Sequence, residues 1–139
     1  MTQGKLQNSE ALNFILAGNA TVKFLNPKTD NRFTYKITKP KDKDVFFVSV
    51  LTSTDTYTFM GSVLSLNFKS SKKSSISESA QSFKVFKWVF NKLKTNDLPD
   101  FIEIYHEGRC GRCGRNLTVP ESITSGYGPE CVKKIKSSL

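Results

Sequence analysis

Histidine is nearly missing from this sequence of 139 residues, which has one, His106, and only three cysteines. One imidazole excludes an H-E-x-x-H zinc enzyme and an HNH-type nuclease, both of which need more than one. A zinc deaminase needs H-x-E beside its metal cysteines, and His106-Glu107 lacks that spacing. No Ser-His-Asp set, phosphate-binding loop or dinucleotide fingerprint is present either, so no catalytic role is expected. An odd cysteine count argues against a disulfide framework. No run of 18 apolar residues exists to cross a membrane as a helix. Met1 to Glu10 is polar and lacks the apolar core of a secretory leader. The expected location is therefore the cytoplasm, where disulfides are rare. Acidic residues are also scarce, 12 against 21 basic ones, for a net charge of +9.

What is present is concentrated near the C-terminus. His106, Cys110, Cys113 and Cys131 follow the spacing H-x3-C-x2-C-x17-C, which takes in every cysteine of the chain and its one histidine. Two cysteines two residues apart, each followed by glycine, suit a tight turn that aims both sulfurs at one metal. Glycine tolerates the positive φ such turns demand. Three thiolates and an imidazole form a closed tetrahedral set, the pattern of structural zinc. Arg109, Arg112 and Arg115 surround the turn, and cationic neighbours favour the thiolate form. Glu107, Glu121, Glu130 or a partner chain compete with His106 for the fourth position. A redox C-x2-C would be expected after the first strand of a βαβ unit, not here.

Upstream, the pattern alternates between helix and strand. Ser9 can cap a helix from Glu10 to Ala17, with Gly18 as its stop and Leu12, Ile15 and Leu16 toward a core. Ala20–Leu25 and Arg32–Thr38 alternate as a β-hairpin around Asn26 to Asn31. Val45–Leu51 reads as a central strand and Tyr57–Leu64 as its neighbour. Gly61 marks a bulge or a close backbone approach, and Leu64–Phe68 either extends that strand or begins a fifth. Phe33, Tyr35, Tyr57 and Phe59 are either core or a stacking platform for bases. Lys69 to Glu78 is a Ser- and Lys-rich loop. From Ser77 or Ser79 to Leu93 a helix presents Phe83, Phe86, Phe90 and Leu93 as one stripe, with Trp88 off its centre as a possible partner contact. Phe101–His106 is a short strand delivering His106 to the cysteine turn, and Pro129 starts a helix that places Cys131 in its first turn. The expected fold is α+β: a curled antiparallel sheet of four or five strands packed by helices. A C-terminal zinc knuckle, half treble-clef-like, follows it. The expected division is a body at 1–100 and a zinc module at 101–139.

Cys110-Gly111-Arg112-Cys113-Gly114-Arg115-Asn116-Leu117-Thr118, then Pro120-Glu121-Ser122-Ile123, then Gly126-Tyr127-Gly128-Pro129-Glu130-Cys131 resembles a small zinc-binding domain of uncharacterised function. That domain recurs in bacteriophage and bacterial proteins, sometimes appended to helicase-like enzymes. The stretches Phe46–Thr52 and Tyr57–Gly61 are similar to short phage proteins ending in this module. The resemblance implies zinc on Cys110, Cys113 and Cys131 and a phage or prophage origin, hence a host-cell cytoplasm; it implies no activity.

Two partner classes fit these features. Nucleic acid suits the basic charge through phosphate neutralisation, with Arg109, Arg112, Arg115, Lys133 and Lys134 as contact residues. A host protein, such as a defence nuclease complex or a polymerase bound and blocked by a phage effector, suits the same surface. Composition and the zinc module favour nucleic acid by a narrow margin.

Overall fold

The computed structural model describes residues 5–106. Within them the chain runs β1 (Lys5–Leu6), α1 (Asn8–Ile15), β2 (Asn19–Asn26), β3 (Asn31–Thr38), β4 (Phe46–Leu51) and β5 (Tyr57–Leu64). It continues through β6 (Asn67–Lys69), α2 (Gln81–Lys94) and β7 (Glu103–His106). The strands form one antiparallel sheet in the order β1-β7-β2-β3-β4-β5-β6, open at both edges. This is α+β, with seven strands where alternation alone marked four or five. The extra width comes from the two-residue β1, the separate β6 and the entry of β7 between β1 and β2. The knuckle expected beyond His106 lies outside the described residues.

Consecutive strands β2 to β6 pair as a meander, which short turns permit. At Asn26–Asn31 the Asn26 carboxamide oxygen accepts the Lys28 N–H at 3.0 Å and Asp30 takes φ 56°, so the Asx residues do the turning. On β5, Val48 pairs with Gly61 but Ser49 with Phe59, which leaves Met60 as the extra residue of a β-bulge. Gly61 also lies where a Cβ would come within 2.4 Å of the Lys69 carbonyl oxygen. The glycine thus serves both roles that a glycine inside a strand suggests.

One face of the sheet is covered. Val22, Phe24, Tyr35, Ile37, Val48 and Val50 are buried there under the two helices. Helix α2 buries Phe83, Phe86, Val89, Phe90 and Leu93, the expected stripe together with its flanking valine. Phe86 lies 4.7–5.8 Å, ring to ring, from Phe68, Tyr35, Phe24 and Phe90. Full burial of each such ring contributes about 1.5–3 kcal/mol. Helix α1 begins earlier than Ser9 capping would have it. The Gln7 carbonyl accepts the Glu10 and Ala11 amides, because β1 ends at Leu6 and turns straight into the helix. It buries Ala11, Phe14 and Ile15, with Leu12 and Leu16 partly covered. Helix α2 starts at Gln81, not at Ser77 or Ser79. Those two serines instead hydrogen-bond each other at 2.8 Å, and Ser77 Oγ accepts the Ser79 amide.

Candidate functional site

The other face of the sheet carries no buried residue at any described position. Its side chains are exposed or half-covered from β1 to β6. Strand register arranges them in rows. One row runs Lys5, Tyr105, Lys23, Thr34 across β1, β7, β2 and β3. The next runs Thr21, Lys36, Ser49, Phe59 across β2 to β5. A third runs Asn19, Thr38, Phe47, Ser62, Lys69 across β2 to β6. Each of these three rows holds at least one lysine and one aromatic ring, whereas the neighbouring row, Glu103, Leu25 and Arg32 across β7, β2 and β3, holds neither.

The four aromatics read from the sequence divide between the two faces. Tyr35 is fully buried and Phe33 packs on the core. Tyr57 and Phe59 lie on the uncovered face, opposite Leu51 and Ser49. The bulge at Met60 is the cause. It changes the phase of β5, so Tyr57 and Phe59 point outward while Gly61 and Val63 point inward. Phe47 meets Phe59 edge-on at 5.9 Å between centroids.

Charge and rings are coupled on this face. Lys23 Nζ lies 5.2 Å from the Tyr105 ring centroid and Lys36 Nζ 5.7 Å from that of Tyr57. Both are near the outer reach of a cation–π contact, which contributes about 0.5–1 kcal/mol at exposed sites. A base stacked on an aromatic ring contributes about 1–3 kcal/mol. A base can therefore displace the ammonium group from the ring and leave the lysine to meet a phosphate. Glu103 is the acidic group among the outward positions of these strands, and it accepts the Tyr105 hydroxyl hydrogen bond. That bond, then partial burial and the carboxylate charge, raise the Tyr105 phenol above its ordinary range. The ring is held in place by its neighbour two residues away.

Of the proposed zinc ligands the structure describes His106. It ends β7 in register with Val22, is 5% exposed, and places its ring 5.8 Å from that of Phe14 on α1. Alternation along β7 turns Ile104 and His106 to the helix side and Tyr105 to the uncovered side. A buried imidazole held at a strand end suits a structural ligand better than a solvent-facing base. Cys110, Cys113 and Cys131 lie outside the described residues, as do Arg109, Arg112, Arg115, Lys133 and Lys134. Among the described residues no group of three or more His, Cys, Asp or Glu converges.

On the helix side, a groove of about 220 Å³ opens between α2 and the β2–β3 hairpin. Trp88, Val85 and Val89 line one wall and Phe24, Phe33 and Ile102 the other, with no charged side chain in the lining. Trp88 is 42% exposed. Nearby Phe101 is capped by Lys28, whose Nζ lies 4.0 Å from its ring centroid.

Residues 103–136 match a family of unknown function, DUF6011. The match covers about a quarter of the chain and begins on the first residue of β7. The DUF6011 segment thus takes in all four proposed zinc ligands and one ring of the uncovered face, Tyr105. No curated protein and no solved structure matches the chain.

The sequence drew attention to the C-terminal arginines and missed Phe47, Tyr105 and the face lysines Lys5, Lys23 and Lys69. A signal for them existed. Lysines at alternate positions of otherwise apolar strands, such as Lys23 between Val22 and Phe24, mark an outward face.

Proposed function

We propose that this chain is a non-enzymatic, phage-type zinc-binding accessory protein that binds nucleic acid through basic surfaces. The observation that carries the reading is the uncovered sheet face, where three successive rows each pair lysine with an aromatic ring. A net charge of +9 adds a favourable field for phosphate. Zinc on His106, Cys110, Cys113 and Cys131 supplies folding energy to the C-terminal module and is not used for chemistry. The arginines at 109, 112 and 115, with Lys133 and Lys134, extend the basic surface.

Binding of a labelled oligonucleotide at increasing salt tests the reading. For a single strand, log K should fall with log salt at a slope of about −0.7 per phosphate neutralised. Replacing Lys23 and Lys36 with Gln should flatten that slope by about 1.4 units. Absence of binding at low salt would reject the function. Elemental analysis of protein purified without added metal should find close to one zinc per chain.

The groove beside Trp88 favours a second reading, a phage effector that binds and blocks a host protein. Exposed tryptophan beside an uncharged groove is a common anchor of protein interfaces. A pull-down from nuclease-treated lysate that recovers one protein, and loses it on Trp88→Ala, would select this reading.

A further inference from the structure

We propose that the uncovered sheet face takes single-stranded nucleic acid, with unpaired bases stacked on Tyr105, Phe59 and Phe47; this rests on the nucleic-acid reading above. The three rings occupy three different rows and three different strands. Lys5 and Lys23 flank Tyr105 along its row. Lys36 lies on the Phe59 row and Lys69 on the Phe47 row. Phosphates and bases of one strand can therefore alternate across these three rows, each of which offers a lysine and a ring.

A duplex offers a poorer match. It hides its base faces in the stack and exposes phosphates and groove edges. Reading those edges calls for an element that enters a major groove about 12 Å wide. This face is a sheet surface built of side chains in register, and both helices pack on its opposite side. Rings serve a single strand because every unpaired base has a face to stack, whatever its identity. The charge balance agrees. Against the four lysines stands Glu103, which is engaged with the Tyr105 hydroxyl. A protein partner would meet the same rings but would need acidic groups set at the row spacing.

The test uses the full chain and three fluorescein-labelled probes, oligo-deoxythymidine, oligo-uridine and a duplex, each of about 12 units, within single-strand site sizes. Fluorescence anisotropy should show a single strand bound on the order of tenfold tighter than the duplex. The deoxy and ribo arms show which polymer is preferred. Tyr105→Ala and Phe59→Ala should each weaken single-strand binding about 5- to 100-fold and duplex binding far less. Tyr105→Phe should retain affinity and Tyr105→Leu should not. Ultraviolet cross-linking of the unmodified chain, which does not depend on variants folding, should place adducts on peptides containing Phe47, Phe59 or Tyr105. Equal affinity for duplex, unchanged affinity after ring removal, or adducts confined to residues 107–139 would overturn the proposal and leave nucleic-acid binding standing. Failure of every probe to bind would remove the parent reading as well. A nuclease-resistant protein partner lost on Phe59→Ala would assign the face to protein instead.

Discussion

Tyr35 is where sheet, helix and hydrogen bonding meet. Its ring lies 5.0 Å from those of both Phe24 and Phe86, and its hydroxyl donates to the Ser82 carbonyl at 2.7 Å. Burial pushes its phenol far above the ordinary range. The unfolded chain releases that proton near pH 10 while the folded chain keeps it. Stability carried by Tyr35 is therefore intact below pH ~10 and falls above it, at a limiting rate of about 1.4 kcal/mol per pH unit. Tyr35→Phe should cost about 0.5–1.5 kcal/mol at neutral pH through the lost hydrogen bond. It should also make denaturant midpoints above pH 10 fall less steeply than in the parent. A parallel alkaline decline in both proteins would contradict this. Gly61 makes a second residue-scale case. An added Cβ meets backbone, the Lys69 carbonyl, which has no rotamer by which to move away. Gly61→Ala should destabilise by about 1–3 kcal/mol, the range for overpacking, and a chemical-denaturation curve reads it directly. Tyr35 was legible as core from its alternation with Ile37. Phe59 was legible as aromatic but not as outward-facing. The extra residue at Met60 inverts the phase of β5, and no local pattern announces which residue a bulge will leave unpaired.

At the scale of elements, the tight connection between β5 and β6 is the strained one. Ser65 and Leu66 both adopt positive φ, 53° and 65°, as the two-residue turn that matches strand twist requires. Neither residue is suited to it, and a left-handed conformation costs about 1–2 kcal/mol per ordinary residue. Leu66 is also 49% exposed. Its carbonyl accepts Lys94 Nζ at 2.8 Å, which ties the turn to the end of α2. Substituting Ser65→Asn with Leu66→Gly should raise stability by about 0.5–2 kcal/mol and the melting temperature with it. A fall in melting temperature would mean that the Leu66 side chain contributes more than the backbone strain costs. Element existence was readable in the chain, because α2 and the strands β2 and β3 show clean periods of 3.6 and 2 and Val45–Leu51 is a nearly continuous apolar run. The β6 start was not, since Leu64 to Phe68 is an unbroken apolar-polar alternation with no glycine, proline or asparagine at the turn itself. The helix starts moved because backbone carbonyls at Gln7 and Ala80, not serine side chains, receive the first amides.

At the scale of the molecule, β7 joins the sheet to the segment that carries the proposed zinc ligands. Its pairing with β2 spans some eighty residues of sequence, and non-local pairing leaves no local trace. The cysteine spacing was therefore legible, while the depth of His106 in the body was not. β1 has two residues and pairs with β7 alone, whereas β2 to β6 pair with sequence neighbours. If zinc holds His106, chelation should act unevenly. Amide hydrogen exchange on peptides spanning Lys5–Leu6 and Tyr105–His106 should accelerate. Protection at Tyr35, Val48 and Phe86 should persist, because those residues are fully buried in the apolar core between the sheet and the helices. Cys131→Ser should reproduce the same map, since a lost ligand and a lost metal open the same site. Uniform loss of protection would show instead that zinc supports the entire fold. Unchanged exchange at β1 and β7, in protein proved zinc-free, would detach His106 from the metal and move the fourth ligand to Glu107, Glu121, Glu130 or a partner chain.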